Sequence, residues 1–81
     1  MSPEKLVYMA NQIARFFAHQ PAEKAVASTA DHLRKFWEPR MRKAIFDYIE
    51  AGGGDLQPIA LKGVLALKAE ATLHQPGGSA A

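Results

Sequence analysis

Apolar residues recur at three- and four-residue spacing along most of the chain, in blocks set apart by prolines and glycines. The first block is Leu6, Val7, Met9, Ala10, Ile13, Ala14, Phe16 and Phe17, a helical period. Ser2 precedes it as an N-cap, Pro3 suits the first helical position, and Glu4 is well placed in the first turn. On a helical projection these apolar positions fill roughly 180°, wider than the ~100° stripe that a surface helix needs. Tyr8, Gln12 and Arg15 fall on the opposite, polar side. The first helix is therefore either the most buried of a bundle or one shared with a partner.

Pro21 stops that helix near His19 and opens a second, whose stripe is Ala22, Ala25, Val26, Ala30, Leu33 and Phe36. Its first half is nearly all small residues, which lets a neighbouring backbone approach closely. A third helix, from about Pro39 to Ala51, is expected to bury Met41, Ala44, Ile45, Tyr48 and Ile49. Phe46 projects away from that set, beside Arg42 and Glu50 at four-residue spacing, either as a local cation–π partner or as a contact for another chain. Gly52-Gly53-Gly54 supplies the left-handed cap that ends this helix. A fourth begins at Pro58, capped by Asp55 or Gln57, with Leu61, Val64, Leu65 and Leu67 on its apolar side and Gly63 as a weak point of about 1 kcal/mol. No segment alternates with period two, so strands are not expected. The fold class that follows is all-α, a small bundle of three to four short helices over residues 1–73, with a disordered tail at 74–81.

The corner between the second and third helices is Phe36-Trp37-Glu38-Pro39-Arg40-Met41-Arg42. A proline removes a backbone donor and pushes the preceding residue out of helical geometry, so one helix ends near Phe36 and the next starts with Pro39. Trp37 is expected to be only half covered there. Arg34 and Lys35 suit the C-terminal end of their helix, but Arg40, Arg42 and Lys43 open the next one at its positive end. Each such cation opposes the macrodipole by roughly 0.3–1 kcal/mol. Either water and salt screen them, or something outside the domain uses them.

Composition narrows the picture mainly by exclusion. With 81 residues the chain makes one domain, whose small core leaves stability marginal without a partner. There is no Cys, which excludes disulfides, thiolate metal sites and cysteine nucleophiles. His19, His32 and His74 show no metal-ligand spacing, and His19 sits where a protonated imidazole suits a helix C-terminus. No run reaches membrane-spanning length, the start is unlike a signal peptide, and the cytoplasm is the default. Catalysis finds no constellation to rest on. Binding remains, through the Trp37–Arg42 corner and the surplus apolar surface of the first helix, with either self-association or marginal stability of the isolated chain expected. An RNA-binding or general adaptor reading competes, because Phe36 and Trp37 stand among basic residues. Ten Lys and Arg against eight Asp and Glu, a net charge of +2, weigh against it.

Met9-Ala10-Asn11-Gln12-Ile13, Phe16-Phe17, Ala30-Asp31-His32-Leu33, the Phe36–Arg42 corner and Gly52-Gly53 together carry a family likeness. Over roughly residues 4 to 67 the chain resembles the delta subunit of NAD-dependent, molybdenum-containing formate dehydrogenases. It departs from the family pattern at Gln57, where an acidic cap is expected before Pro58. The resemblance implies a non-catalytic accessory subunit, with no cofactor of its own, supporting assembly or stability of a cytoplasmic complex. Its partners would be the catalytic and diaphorase subunits, carrying a molybdenum bis-pterin guanine dinucleotide centre, iron–sulfur clusters and FMN. No catalytic or metal residue transfers. The expected partner-binding residues are Trp37, Glu38, Pro39, Arg40, Met41, Arg42, Phe46, Tyr8, Phe16 and Phe17.

Overall fold

The computed structural model describes residues 2–73, so the expected tail at 74–81 lies outside the described residues. Four helices follow one another: α1 (Pro3–Phe17), α2 (Ala22–Phe36), α3 (Pro39–Glu50) and α4 (Pro58–Leu73), with no strand among the described residues. Local chemistry marks most boundaries. The Ser2 hydroxyl accepts from the Lys5 N–H at 3.3 Å, capping α1. At the other end His19 Nδ1 lies 3.1 Å from the Phe16 carbonyl, as expected for a histidine closing a helix. α3 ends on Gly52, whose φ of 90° needs no Cβ. There the Gly53 N–H reaches the Tyr48 carbonyl at 2.9 Å and the Gly52 N–H reaches Ile49 at 3.0 Å, the paired bonds of a Schellman cap.

The core forms where α2 and α4 lie together and α1 crosses both. Its members are Leu6, Val7, Ala10 and Ala14 of α1, Ala30 and Leu33 of α2, Trp37, Ile45 of α3, and Ala60, Val64 and Leu67 of α4. The small residues of α2 do bring a backbone close, and it belongs to α4. A Cβ placed on buried Gly63 would stand 2.8 Å from Thr29 Cγ2 and 3.1 Å from Thr29 Cβ. Gly63 is thus a close-approach residue that the packing requires, in place of the weak point expected. Thr29, wholly buried, returns its hydroxyl to the Ala25 carbonyl at 2.8 Å and so buries no unsatisfied group.

Two expectations about burial change. In α4 the buried line is Ala60, Gly63, Val64 and Leu67, while Leu65 faces outward. Position 65 stands one residue past that series at three- and four-residue spacing, so its leucine points away from α2. In α2 the roles of Phe36 and Trp37 are exchanged. Trp37 is 4 % exposed and Phe36 is 70 % exposed. The spacing Ala30, Leu33, Trp37 continues one buried stripe, and Phe36 falls beside it. Trp37 leaves the helix with extended backbone (φ −90°, ψ 138°) while its N–H still reaches the Leu33 carbonyl at 3.0 Å. The indole that was expected half covered is core.

Asn11 fastens the long α3–α4 connection. Its amide donates to the Asp55 carbonyl at 3.1 Å, and its Oδ1 accepts the Gln57 N–H at 2.8 Å. The Gln57 carbonyl receives the Leu61 N–H at 2.8 Å, which starts α4. Asp55 is occupied by the Tyr48 hydroxyl at 3.3 Å.

Candidate protein docking face

Once the core is filled, α1 still has apolar side chains left over. Met9, Ile13 and Phe17 are half covered, and Phe16 is 73 % exposed. Antiparallel α2 sets His32 and Phe36 opposite them. Phe16 and Phe17 meet edge to face with centroids 5.1 Å apart, Phe17 and His32 at 6.3 Å, His32 and Phe36 at 4.7 Å. Phe36 pairs with His32 because residues four apart share a helix face. The result is a chain of rings crossing from α1 to α2.

Beside those rings runs a shallow groove. One stretch is lined by Tyr8, Met9, Gln12, Ile13, Phe36 and Met41, with His32 and the covered Trp37 as floor. It continues along Gln12, Ile13, Phe16, Phe17 and His32. No carboxylate lines either stretch. Tyr8, 64 % exposed, forms the rim. A wider depression shares Tyr8 and Gln12 with this groove and reaches Asn11, Arg15, Gln57 and Pro58, its Asn11 amide committed to the α3–α4 connection. The apolar groove is the better docking candidate because its aromatic surface has nothing to cover it among the described residues.

The expected site residues divide between two places. Tyr8, Phe16, Phe17 and Met41 come together on the groove, and Phe36 joins them although it was expected in the core. Trp37 lies beneath it. Arg42 and Phe46 are elsewhere: with Arg34, Leu67, Glu70 and Ala71 they line a separate hollow, and Phe46 is half buried against the core. Phe46 thus lies beside Arg42 as expected, but half buried against the core and not on an outer face. Glu38 and Pro39 are exposed at the start of α3, where Glu38 makes no side-chain cap.

Folding also accounts for most of the cations that seemed misplaced. Arg42 Nη1 donates to the Trp37 carbonyl and, at 3.3 Å, to the Arg34 carbonyl. Its charge opens α3, yet its guanidinium closes α2 at the negative end of that helix. Lys43 pairs with Asp47 at 3.0 Å. Arg34 forms a two-pronged pair with Glu70 of α4 and a third bond to Asp31 at 2.7 Å, which raises its pKa further above the ordinary value. The Asp31 carboxyl is held below its ordinary value, first by the hydrogen bond from Lys35 at 3.1 Å and then by the nearby charges of Lys35 and Arg34. Arg40 is different. Its side chain is exposed, follows Glu38-Pro39 just before Met41 of the groove, and has no hydrogen bond or ion pair among the described residues.

A family model described as NADH-dependant formate dehydrogenase delta subunit FdsD matches residues 5–64. The chain belongs to this family. The match takes in α1 from Lys5 onward, α2, α3 and the first half of α4, and hence every groove residue of the delta-subunit chain. Searches of curated proteins and of solved structures gave no match.

Proposed function

We propose that this delta-subunit chain is a non-catalytic accessory subunit, without a cofactor of its own, that supports assembly or stability of a cytoplasmic formate dehydrogenase complex. It docks on a catalytic or diaphorase subunit through the aromatic groove of α1 and α2. One observation carries the reading: Tyr8, Phe16 and Phe36 stand largely in water around a depression lined by Met9, Ile13 and Met41. Burying a Phe side chain is worth about 1.5–3 kcal/mol, and this fold leaves that gain unused on both helices. Contiguous apolar surface of this kind marks interaction sites in soluble proteins. Family membership supplies the class of partner, the other subunits of the enzyme.

Docking accordingly moves from the Trp37–Arg42 corner to the groove, retaining Met41 of that corner. The test is the Phe16→Ala, Phe36→Ala pair, coexpressed with the remaining formate dehydrogenase subunits. Both rings are exposed, so helicity and melting temperature should hold while the delta chain no longer co-purifies. Co-purification at parental stoichiometry would overturn the reading.

A further inference from the structure

α1 carries more apolar surface than its neighbours cover, and burial alone does not decide which part of it turns inward, because the hydrophobic effect has no direction of its own. The buried set is Leu6, Val7, Ala10 and Ala14. The larger Met9 and Ile13 are only half covered, and Phe16 is 73 % exposed. A roll of the helix that brought Met9 and Ile13 in for Ala10 and Ala14, with a small outward shift to make room, would hide more apolar surface. The fold keeps the two alanines inside instead. A directional contact is needed to hold that rotation.

Asn11 supplies one. At about 100° per residue it flanks the buried stripe at its Val7–Ala14 edge, whereas Met9, Ile13 and Phe16 lie beyond the opposite edge, that of Leu6. Its amide donates to the Asp55 carbonyl and its Oδ1 accepts the Gln57 N–H, at 3.1 and 2.8 Å. Two bonds of opposite sense fix the direction of a side chain as well as its distance. Among the described residues no other hydrogen bond, and no ion pair, joins α1 to another element. The far end of the contact is firm. Asp55 accepts the Tyr48 hydroxyl at 3.3 Å, and Leu56 packs against the core. Gly53 lies so close to the Tyr48 ring that a Cβ there would come within 2.1 Å of Cε2.

We infer that Asn11 is a positioning residue for the aromatic groove: it holds α1 at the rotation that turns Met9, Ile13 and Phe16 outward. The consequence for binding rests on the docking reading above; the rotation itself does not. Without the two bonds α1 rolls towards its larger apolar residues, so that Met9 and Ile13 are drawn in and Val7 moves out.

The test is hydroxyl-radical labelling of the full chain, read residue by residue by mass spectrometry, for the parent and Asn11→Ala. Both bonds of Asn11 go to exposed backbone groups that water can serve, so the variant should stay folded. Labelling is expected to fall at Met9 and Ile13 and to rise at Val7, with exposed Tyr8 as the unchanged reference. Affinity for the remaining formate dehydrogenase subunits should drop by about tenfold if roughly one molecule in ten still shows the groove. Labelling that rises at both Met9 and Val7 would mean simple loosening, and an unchanged pattern would mean no hold on the rotation; either overturns the inference. Opposite shifts at Met9 and Val7 with parental affinity would leave Asn11 in its role and sink the docking reading. Should Asn11→Ala not fold, Asn11→Asp, which can still accept the Gln57 N–H, should show the same opposite shifts in smaller degree. Failure of both to fold would make Asn11 a residue of folding only, against the inference.

Discussion

Gly63→Ala is the sharpest test of how the bundle is held together. In an open helix this change should stabilise by about 1 kcal/mol, because glycine surrenders more backbone freedom than alanine. Here the new methyl would meet Thr29 Cγ2 at 2.8 Å, where ordinary contact begins near 3.4 Å. Thr29 cannot swing aside easily. It is β-branched and wholly buried, and its hydroxyl is tied to the Ala25 carbonyl at 2.8 Å. Overfilling a close-packed site costs about 1–3 kcal/mol, which at least cancels the propensity gain. The net should be a loss of up to about 2 kcal/mol, or a melting temperature lower by up to roughly 15 °C for a domain of this size.

A second substitution isolates the cause. Thr29→Ser removes the obstructing methyl and keeps the hydroxyl, at a cost of about 0.8 kcal/mol for the lost apolar group. In that background Gly63→Ala should be neutral or stabilising. Urea unfolding of the four proteins closes the cycle and should show a coupling of about 1–3 kcal/mol. Should Gly63→Ala alone melt at or above the parent, α2 and α4 do not need glycine to approach. Should it cost the same in the Thr29→Ser background, the Thr29 methyl is not the obstacle.

Two further outcomes follow from the charges. Arg42→Ala removes the bonds that close α2 on Trp37 and Arg34 and relieves an opposed dipole in α3, so urea unfolding should show a net loss of about 0.5–2 kcal/mol, whereas exposed Arg40→Ala should be neutral or slightly stabilising; equal effects would refute the capping role. Asp31 has a folded-state pKa below its ordinary 3.8, so its stabilising effect is complete above that value and is lost as pH falls through the lowered one. The parent should therefore be more stable than Asp31→Asn near neutral pH, with the difference closing only in acid below 3.8; a gap that stays constant through that range would show that the carboxylate's charge is not involved.

Helix ends were legible because prolines and glycines act on their own backbone. Pro3 and Pro39 open helices, Pro21 directly precedes one, and Gly52 closes one with positive φ, all without reference to the rest of the fold. Burial was legible only where the period is unambiguous. At the end of α2 two large aromatic residues are adjacent, and one residue decides which of them is core. The series Ala30, Leu33, Trp37 was available, but the expected break at Pro39 drew Trp37 into the turn. In space, the extended residue after the helix still lies over the Leu33 side of the bundle. The close approach at Gly63 was half visible, since small residues in α2 announced a near neighbour without saying which helix it was.

The basic corner shows where reading charges along one chain stops working. A helix dipole is judged from sequence against the helix that carries the charge, and by that measure Arg40, Arg42 and Lys43 are all misplaced. A guanidinium on a long stem also reaches the helix before its own, five and eight residues back, so Arg42 serves the C-terminus of α2 from the N-terminus of α3. Lys43 finds Asp47 one turn on. Two of the three cations thus answer to folding, and the apparent conflict shrinks to Arg40. Arg40 opposes its own dipole while its exposed side chain gains no bond in return among the described residues, so folding alone does not explain it.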